Sequence, residues 1–167
     1  GDPEQINMLD DRWNPNDMQL VAKKVVASLE TWSDENPLDA KPVIILETPR
    51  NRSSEHIDME ALYDHIKTAL IQSGRFTFLD KAARPELAEE YDYQQSGYVD
   101  PAEAKGPGRQ KAAEFLLGGV ITSNIQQVGK NKAAYYKATF ELTDITTTEI
   151  VWTDHKDRKS TRLNSSH

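Results

Sequence analysis

The segment that decides the fold is KPVIILETPRNRSSEHIDMEALYDHIKTALIQSGRFTFLD, residues 41–80. It opens with an uninterrupted apolar run, Val43 to Leu46, which is typical of a strand covered on both faces. A polar loop, Glu47 to Ile57, then leads into an amphipathic helix. This helix is predicted to begin after Asp58, a capping residue, and to end at Gly74. A strand followed by such a helix predicts a sheet with the helix packed against it.

A second helix is predicted before this segment. Asn14 is a capping residue, and Pro15 occupies the first helical position, where proline is favoured. Apolar residues then recur at helical spacing up to residues 34–37, where the helix should end. This helix is expected to bury one face.

The last third of the chain is predicted to form a three-strand meander. Residues 115–125 are apolar and contain Gly118 and Gly119, which suggests a central strand with a close neighbour or a bulge. Residues 135–142 alternate between inward and outward positions, and Ile150 begins a third strand. We therefore predict an α+β (α/β-like) domain with a single mixed sheet and helices packed on it.

The expected domain boundaries are 13–158 for one globular domain. Residues 1–12 are polar and are interpreted as a flexible lead-in. Residues 159–167, KSTRLNSSH, lack periodicity and are interpreted as a disordered tail or a remnant of cloning. Because the chain begins at Gly1 without a methionine, we expect it to be a trimmed piece of a longer protein.

Composition excludes several functions. The formal net charge of -7 over 167 residues argues against a nucleic-acid binder, which needs a basic face for phosphates. The absence of cysteine removes disulfides, thiol catalysis and thiolate metal sites. No HExxH, EF-hand, phosphate-loop or GxSxG pattern occurs. We therefore expect no catalytic residue, no metal site and no cofactor.

The remaining candidate site is the loop that follows the first strand, where Arg50, Asn51 and Arg52 lie in an otherwise acidic chain. Strand-to-helix loops usually take roughly two to six residues, and longer ordered loops are often functional. In one interpretation the arginines pair with nearby carboxylates, while Asn51 and Ser53 satisfy the loop backbone. In the other, the arginines anchor a carboxylate or a protein partner.

Three tyrosines in a polar segment, Tyr91, Tyr93 and Tyr98, are further candidates for a partner-binding surface. Tyrosine is enriched at interface positions that contribute most to binding energy. Together with Arg50, Asn51 and Arg52 they form the predicted partner-binding set.

Five segments carry a family resemblance: RWNPNDMQLVAKKVV (12–26), KPVIILETPRNRSSEHID (41–58), TALIQSGRF (68–76), AEFLLGGVITS (113–123) and YYKATFELTDITTTEIVW (135–152). The stretch RNRSSEHID and the closing meander are its most specific parts. These segments resemble the LpoB family of lipoprotein activators of penicillin-binding proteins, and the similarity extends from Arg12 to about Lys159.

The resemblance implies a fold like the N-terminal domain of TolB and a non-enzymatic activator. It implies a periplasmic domain, anchored to the inner leaflet of the outer membrane by a lipidated N-terminal cysteine. The implied partner is a class A penicillin-binding protein, a bifunctional peptidoglycan synthase, and the domain is expected to be a monomer. Relatives commonly have a glycine in the turn where this chain has Thr147 or Thr148.

Two other functions stay open at this point. CsgG-like proteins share this kind of domain, so a structural subunit of an envelope assembly or secretion complex is one alternative. A small hydrolase acting on the cell wall is another. Ring formation by the isolated protein would favour the first, and release of fragments from purified peptidoglycan would favour the second.

Overall fold

The structure is a computed structural model that describes residues 13–79 and 112–163. The described residues form two helices, α1 (Pro15–Glu35) and α2 (Met59–Ser73). They also form the strands β1 (Val43–Leu46), β2 (Arg50–Arg52), β3 (Thr77–Leu79), β4 (Glu114–Val128), β5 (Asn131–Asp144) and β6 (Ile150–Leu163).

These strands make one mixed sheet in the order β3-β1-β4-β5-β6. Strand β1 lies parallel to both β3 and β4, and the short strand β2 pairs in parallel with the middle of β4. Strands β4, β5 and β6 form an antiparallel meander. The predicted α+β class, with a single mixed sheet and helices packed on it, is confirmed.

Local capping signals explain where the helices begin and end. The Asn14 side chain accepts a hydrogen bond from the Asp17 amide at 3.0 Å, and the Asp17 carboxylate accepts one from the Asn14 amide at 2.9 Å. Asp58 caps α2 by accepting from the Ala61 amide at 3.0 Å, and Gly74 ends it in the left-handed conformation. These contacts satisfy amide groups that have no partner within the helix, and they confirm both predicted helix starts.

Both helices pack on one side of the sheet, which we call the inner face; the opposite side is the outer face. Along each strand the side chains alternate between these two faces. The buried inner-face side chains of β4 and β5 are Phe115, Leu117, Ile121, Tyr136, Ala138, Phe140 and Leu142. They meet the buried helix residues Met18, Val21, Ala22, Val25, Val26, Leu29, Leu62, Tyr63, Ile66 and Leu70.

Two sequence-based expectations need correction. The segment Glu47 to Ile57 was expected to be loop throughout, but its centre is the strand β2, because β4 continues past β1 and offers it a partner. Strand β6 continues to Leu163, so residues 159–163 are not a disordered tail but pair with β5. That this segment is a remnant of cloning concerns its origin and stays a prediction.

The turn between β5 and β6 contains a strained threonine. Thr148 has a φ of 64°, the left-handed region that side chains branched at Cβ rarely adopt. It is held there by two short hydrogen bonds, from its amide to the Asp144 carbonyl at 2.7 Å and from its hydroxyl to the Thr147 carbonyl at 2.6 Å. Of the two threonines singled out in the sequence, Thr148 is the one at the position that suits glycine.

Replacing Thr148 by glycine is therefore expected to raise the free energy of unfolding by up to about 1 kcal/mol, because relief of roughly 1–2 kcal/mol of strain exceeds an entropy cost of roughly 0.4–1 kcal/mol. Urea unfolding of the two proteins measures the difference. The matched control is Thr146→Gly in the same turn, where φ is not positive and only the entropy cost applies. A Thr148→Gly protein less stable than the wild type would show that the threonine's contacts outweigh its strain.

Candidate functional site

The strand β2 fixes the direction in which the predicted binding residues point. Arg50, Asn51 and Arg52 pair in parallel register with Val120, Ile121 and Thr122 of β4. Neighbouring residues in such a register share a face of the sheet. Ile121 is buried on the inner face, so its neighbours Val120 and Thr122 face outward. Arg50 and Arg52, which pair with them, therefore lie on the outer face. All three residues of β2 are exposed.

Hydrogen bonds within the loop hold β2 in this position. Asn51 Nδ2 donates to the Glu55 carbonyl at 2.8 Å, while its Oδ1 accepts from the Ser53 amide at 2.9 Å and from the Ser53 hydroxyl at 2.6 Å. The Glu55 amide in turn donates to Ser53 Oγ at 3.2 Å. Asn51 and Ser53 therefore satisfy the loop backbone, as the first interpretation of this segment predicted.

A second contact ties the loop to the meander. The Ser54 amide donates to Ser123 Oγ at 3.0 Å, and the two hydroxyls lie 3.3 Å apart. Ser123 belongs to β4, which follows β2 far along the chain. Before Asn51, the Glu47 amide donates to the Leu117 carbonyl of β4 at 3.0 Å. The loop is thus bound to the sheet on both sides of Asn51, and the backbone that carries the two arginines is constrained.

The predicted pairing of these arginines with carboxylates is wrong for the described part of the chain. Within residues 13–79 and 112–163, Arg50 and Arg52 form no ion pair, whereas Arg75 pairs with Asp34 and Lys67 with Asp64. Two exposed guanidinium groups on a constrained strand keep their hydrogen-bonding capacity for another molecule.

The tyrosines of the predicted set, Tyr91, Tyr93 and Tyr98, lie outside the described residues. Their role in partner binding stays a prediction. Of the predicted set, the described residues include the half that β2 carries.

Next to Arg50 the outer face contains a groove that the sequence did not single out. It has a volume of about 220 Å³ and lies over Gly118, at the end of β1. Its lining residues are Glu47, Thr48, Arg50, Leu116, Gly118, Gly119, Val120, Thr139, Glu141 and Thr143. The paired glycines and the alternation of β5 were signals for it, but only the register across β4 and β5 shows that they meet.

The described residues contain no cluster of three or more histidine, cysteine, aspartate or glutamate side chains that could hold a metal ion. In the same part of the chain, neither helix is both long and apolar enough to cross a membrane. The outer face around Arg50 offers charged and hydrogen-bonding groups that can recognise another molecule.

The sequence matches the family described as peptidoglycan-synthase activator LpoB over residues 17–157. This chain belongs to the LpoB family. The match includes α1 from Asp17 onward, the whole of α2, β2 and the greater part of the meander. A comparison with curated protein sequences found no match.

Solved structures of LpoB share the fold of this LpoB-family chain. The C-terminal domain of LpoB from Salmonella enterica aligns with a TM-score of 0.53 and 18% identity, covering 85% of this chain and 98% of that domain. The corresponding domain from Escherichia coli gives 0.54 and 16% identity with the same coverage, 85% and 98%. An NMR structure of E. coli LpoB gives 0.50 and 16%, covering 87% of this chain and 68% of that one. At these identities the likeness establishes the fold.

Proposed function

We propose that this LpoB-family domain binds a class A penicillin-binding protein and stimulates its glycan polymerisation and crosslinking without transforming a substrate itself. Family membership supports the activator role. The observation that carries the binding proposal is the exposed pair Arg50 and Arg52 on the constrained strand β2, with no carboxylate partner among the described residues. Arginine in such a setting is a frequent anchor of protein interfaces.

An activator of this kind needs no catalytic group. It must bind the active conformation of the synthase more tightly than the resting conformation, because a ligand shifts an equilibrium only by its differential affinity. A difference of about 1.4 kcal/mol shifts that equilibrium tenfold. One or two well-packed arginine contacts are enough to supply it.

The domain acts in the periplasm, held to the inner leaflet of the outer membrane by an N-terminal lipid on the full-length protein, and it acts as a monomer. Tyr91, Tyr93 and Tyr98 are included as further contact residues because tyrosine is common at such interfaces.

The test is a pull-down of purified class A synthases with this chain, followed by a glycan-polymerisation assay with and without it. We expect stable capture of one synthase and a polymerisation rate raised several-fold. Absence of both capture and stimulation would overturn the proposal. Release of fragments from purified peptidoglycan without synthase would identify a hydrolase instead, and rings detected by light scattering would identify a structural subunit.

A further inference from the structure

The two adjacent glycines of β4 have different surroundings. A Cβ atom on Gly119 would lie 2.6 Å from Cδ1 and 3.0 Å from Cζ of the Phe140 ring, so packing on the inner face requires glycine there. A Cβ atom on Gly118 would meet only Glu47 Oε2, at an ordinary 3.4 Å. Packing therefore explains Gly119 but leaves Gly118 unexplained. Because Gly118 has no side chain, the groove above it on the outer face stays unfilled.

Two carboxylates flank this opening. Glu47 follows β1, where its amide donates to the Leu117 carbonyl at 3.0 Å, and its carboxylate reaches over Gly118. Glu141 is the cross-strand neighbour of Gly118 on β5. Both are exposed, and neither forms an ion pair with any residue that the structure describes.

Positive charge lies further along the same face. Arg50 borders the groove, and Arg52 and Lys137 both flank Thr122, four residues along β4 from Gly118. At roughly 3.3 Å per residue, the acidic and basic rows are separated by about 13 Å. Asp157 of β6 lies opposite Lys137 on this face, so the row at Thr122 contains two basic residues and one acidic residue. The groove is thus acidic and the row beyond it is net basic, and a partner with the complementary order would bind in one orientation.

We propose that the groove over Gly118 receives a lysine or arginine side chain of the synthase, held between Glu47 and Glu141, while Arg50 meets an acidic side chain beside it. The apolar floor formed by Leu116 and Val120 suits the aliphatic stem of such a side chain. This inference rests on the proposed function and adds to it the chemistry of the partner's docking segment. The side chain that enters the groove is cationic, because two unpaired carboxylates would repel an anionic one.

Neutralising both carboxylates tests the inference. We expect the double variant Glu47→Gln/Glu141→Gln to bind the synthase at least about tenfold more weakly than the wild type does. Because these two charges are gone, raising the salt concentration should also lower the affinity of the variant less than that of the wild type. The matched control is Glu35→Gln/Glu60→Gln, which removes the same charge from exposed sites on the two helices and should bind as the wild type does. Biolayer interferometry against the purified synthase at several salt concentrations provides both readouts.

Filling the groove is an independent test. Gly118→Val is expected to lower the affinity by a similar factor at an unchanged melting temperature, because the only atom within 4 Å of a Cβ there is the carboxylate oxygen of the exposed Glu47 side chain, which can move aside. If that variant does not fold, the glutamine variants still decide. Wild-type affinity in the Glu47→Gln/Glu141→Gln protein overturns the groove inference and leaves the proposed function standing, whereas failure of the wild-type chain to bind any synthase overturns both.

Discussion

Replacing Gly119 by alanine is expected to lower the free energy of unfolding by roughly 1–3 kcal/mol, the usual cost of overpacking a core. The added methyl group would overlap the ring of Phe140, the cross-strand neighbour of Gly119. That ring is fully buried, with 0% of its surface exposed, and it sits between the sheet and the helices, so it cannot move aside without displacing other core residues. Urea unfolding measures the loss, provided that the dependence of the unfolding free energy on urea concentration is the same as in the wild type.

Gly118→Ala is the matched control for this prediction. It makes the same chemical change one residue earlier in the same strand, but on the outer face, where the nearest atom is Glu47 Oε2 at 3.4 Å. Neither glycine has a positive φ, so alanine meets no backbone penalty at either position. We expect Gly118→Ala to be neutral or to stabilise by up to about 1 kcal/mol through the unfolded chain. Equal losses for the two variants would show that the Phe140 contact is not the cause.

The parts of the fold that could be predicted from the sequence are those with local signals. The capping residues Asn14 and Asp58 and the αL glycine Gly74 determine the helix ends through contacts within a few residues. The alternation of β5 likewise shows which of its side chains are inward. Strand β2 was missed because it has three residues, all exposed, and its partner strand β4 lies far along the chain.

The candidate site was predictable by residue type but not by geometry. Arg50 and Arg52 stood out because they are basic residues in an acidic chain, and their exposure is as the partner-binding interpretation requires. Their lack of a carboxylate partner among the described residues, and the groove beside them, depend on which residues of β1, β4 and β5 become neighbours. Such pairing is set by the register of the whole sheet, which no short stretch of sequence contains.

Alanine at both Arg50 and Arg52 is expected to weaken binding to the synthase by about thirtyfold or more, the effect of losing roughly 2 kcal/mol at an interface hot spot. Stimulation of glycan polymerisation should fall in parallel at a fixed concentration. The melting temperature should not change, because both side chains are exposed and contact no described carboxylate. Affinity measurement, the polymerisation assay and thermal unfolding of the same preparations test all three statements.

The double variant Lys23→Ala/Lys67→Ala removes the same charge from the two helices, on the other side of the sheet, and should bind and stimulate as the wild type does. Arg50→Lys/Arg52→Lys keeps the charge but loses the planar, bidentate donors of guanidinium, so we expect an intermediate affinity. Recovery of full affinity by lysine would show that charge alone is recognised. A fall in melting temperature for the alanine variant would instead assign the arginines to the fold, and unchanged binding would exclude β2 from the interface.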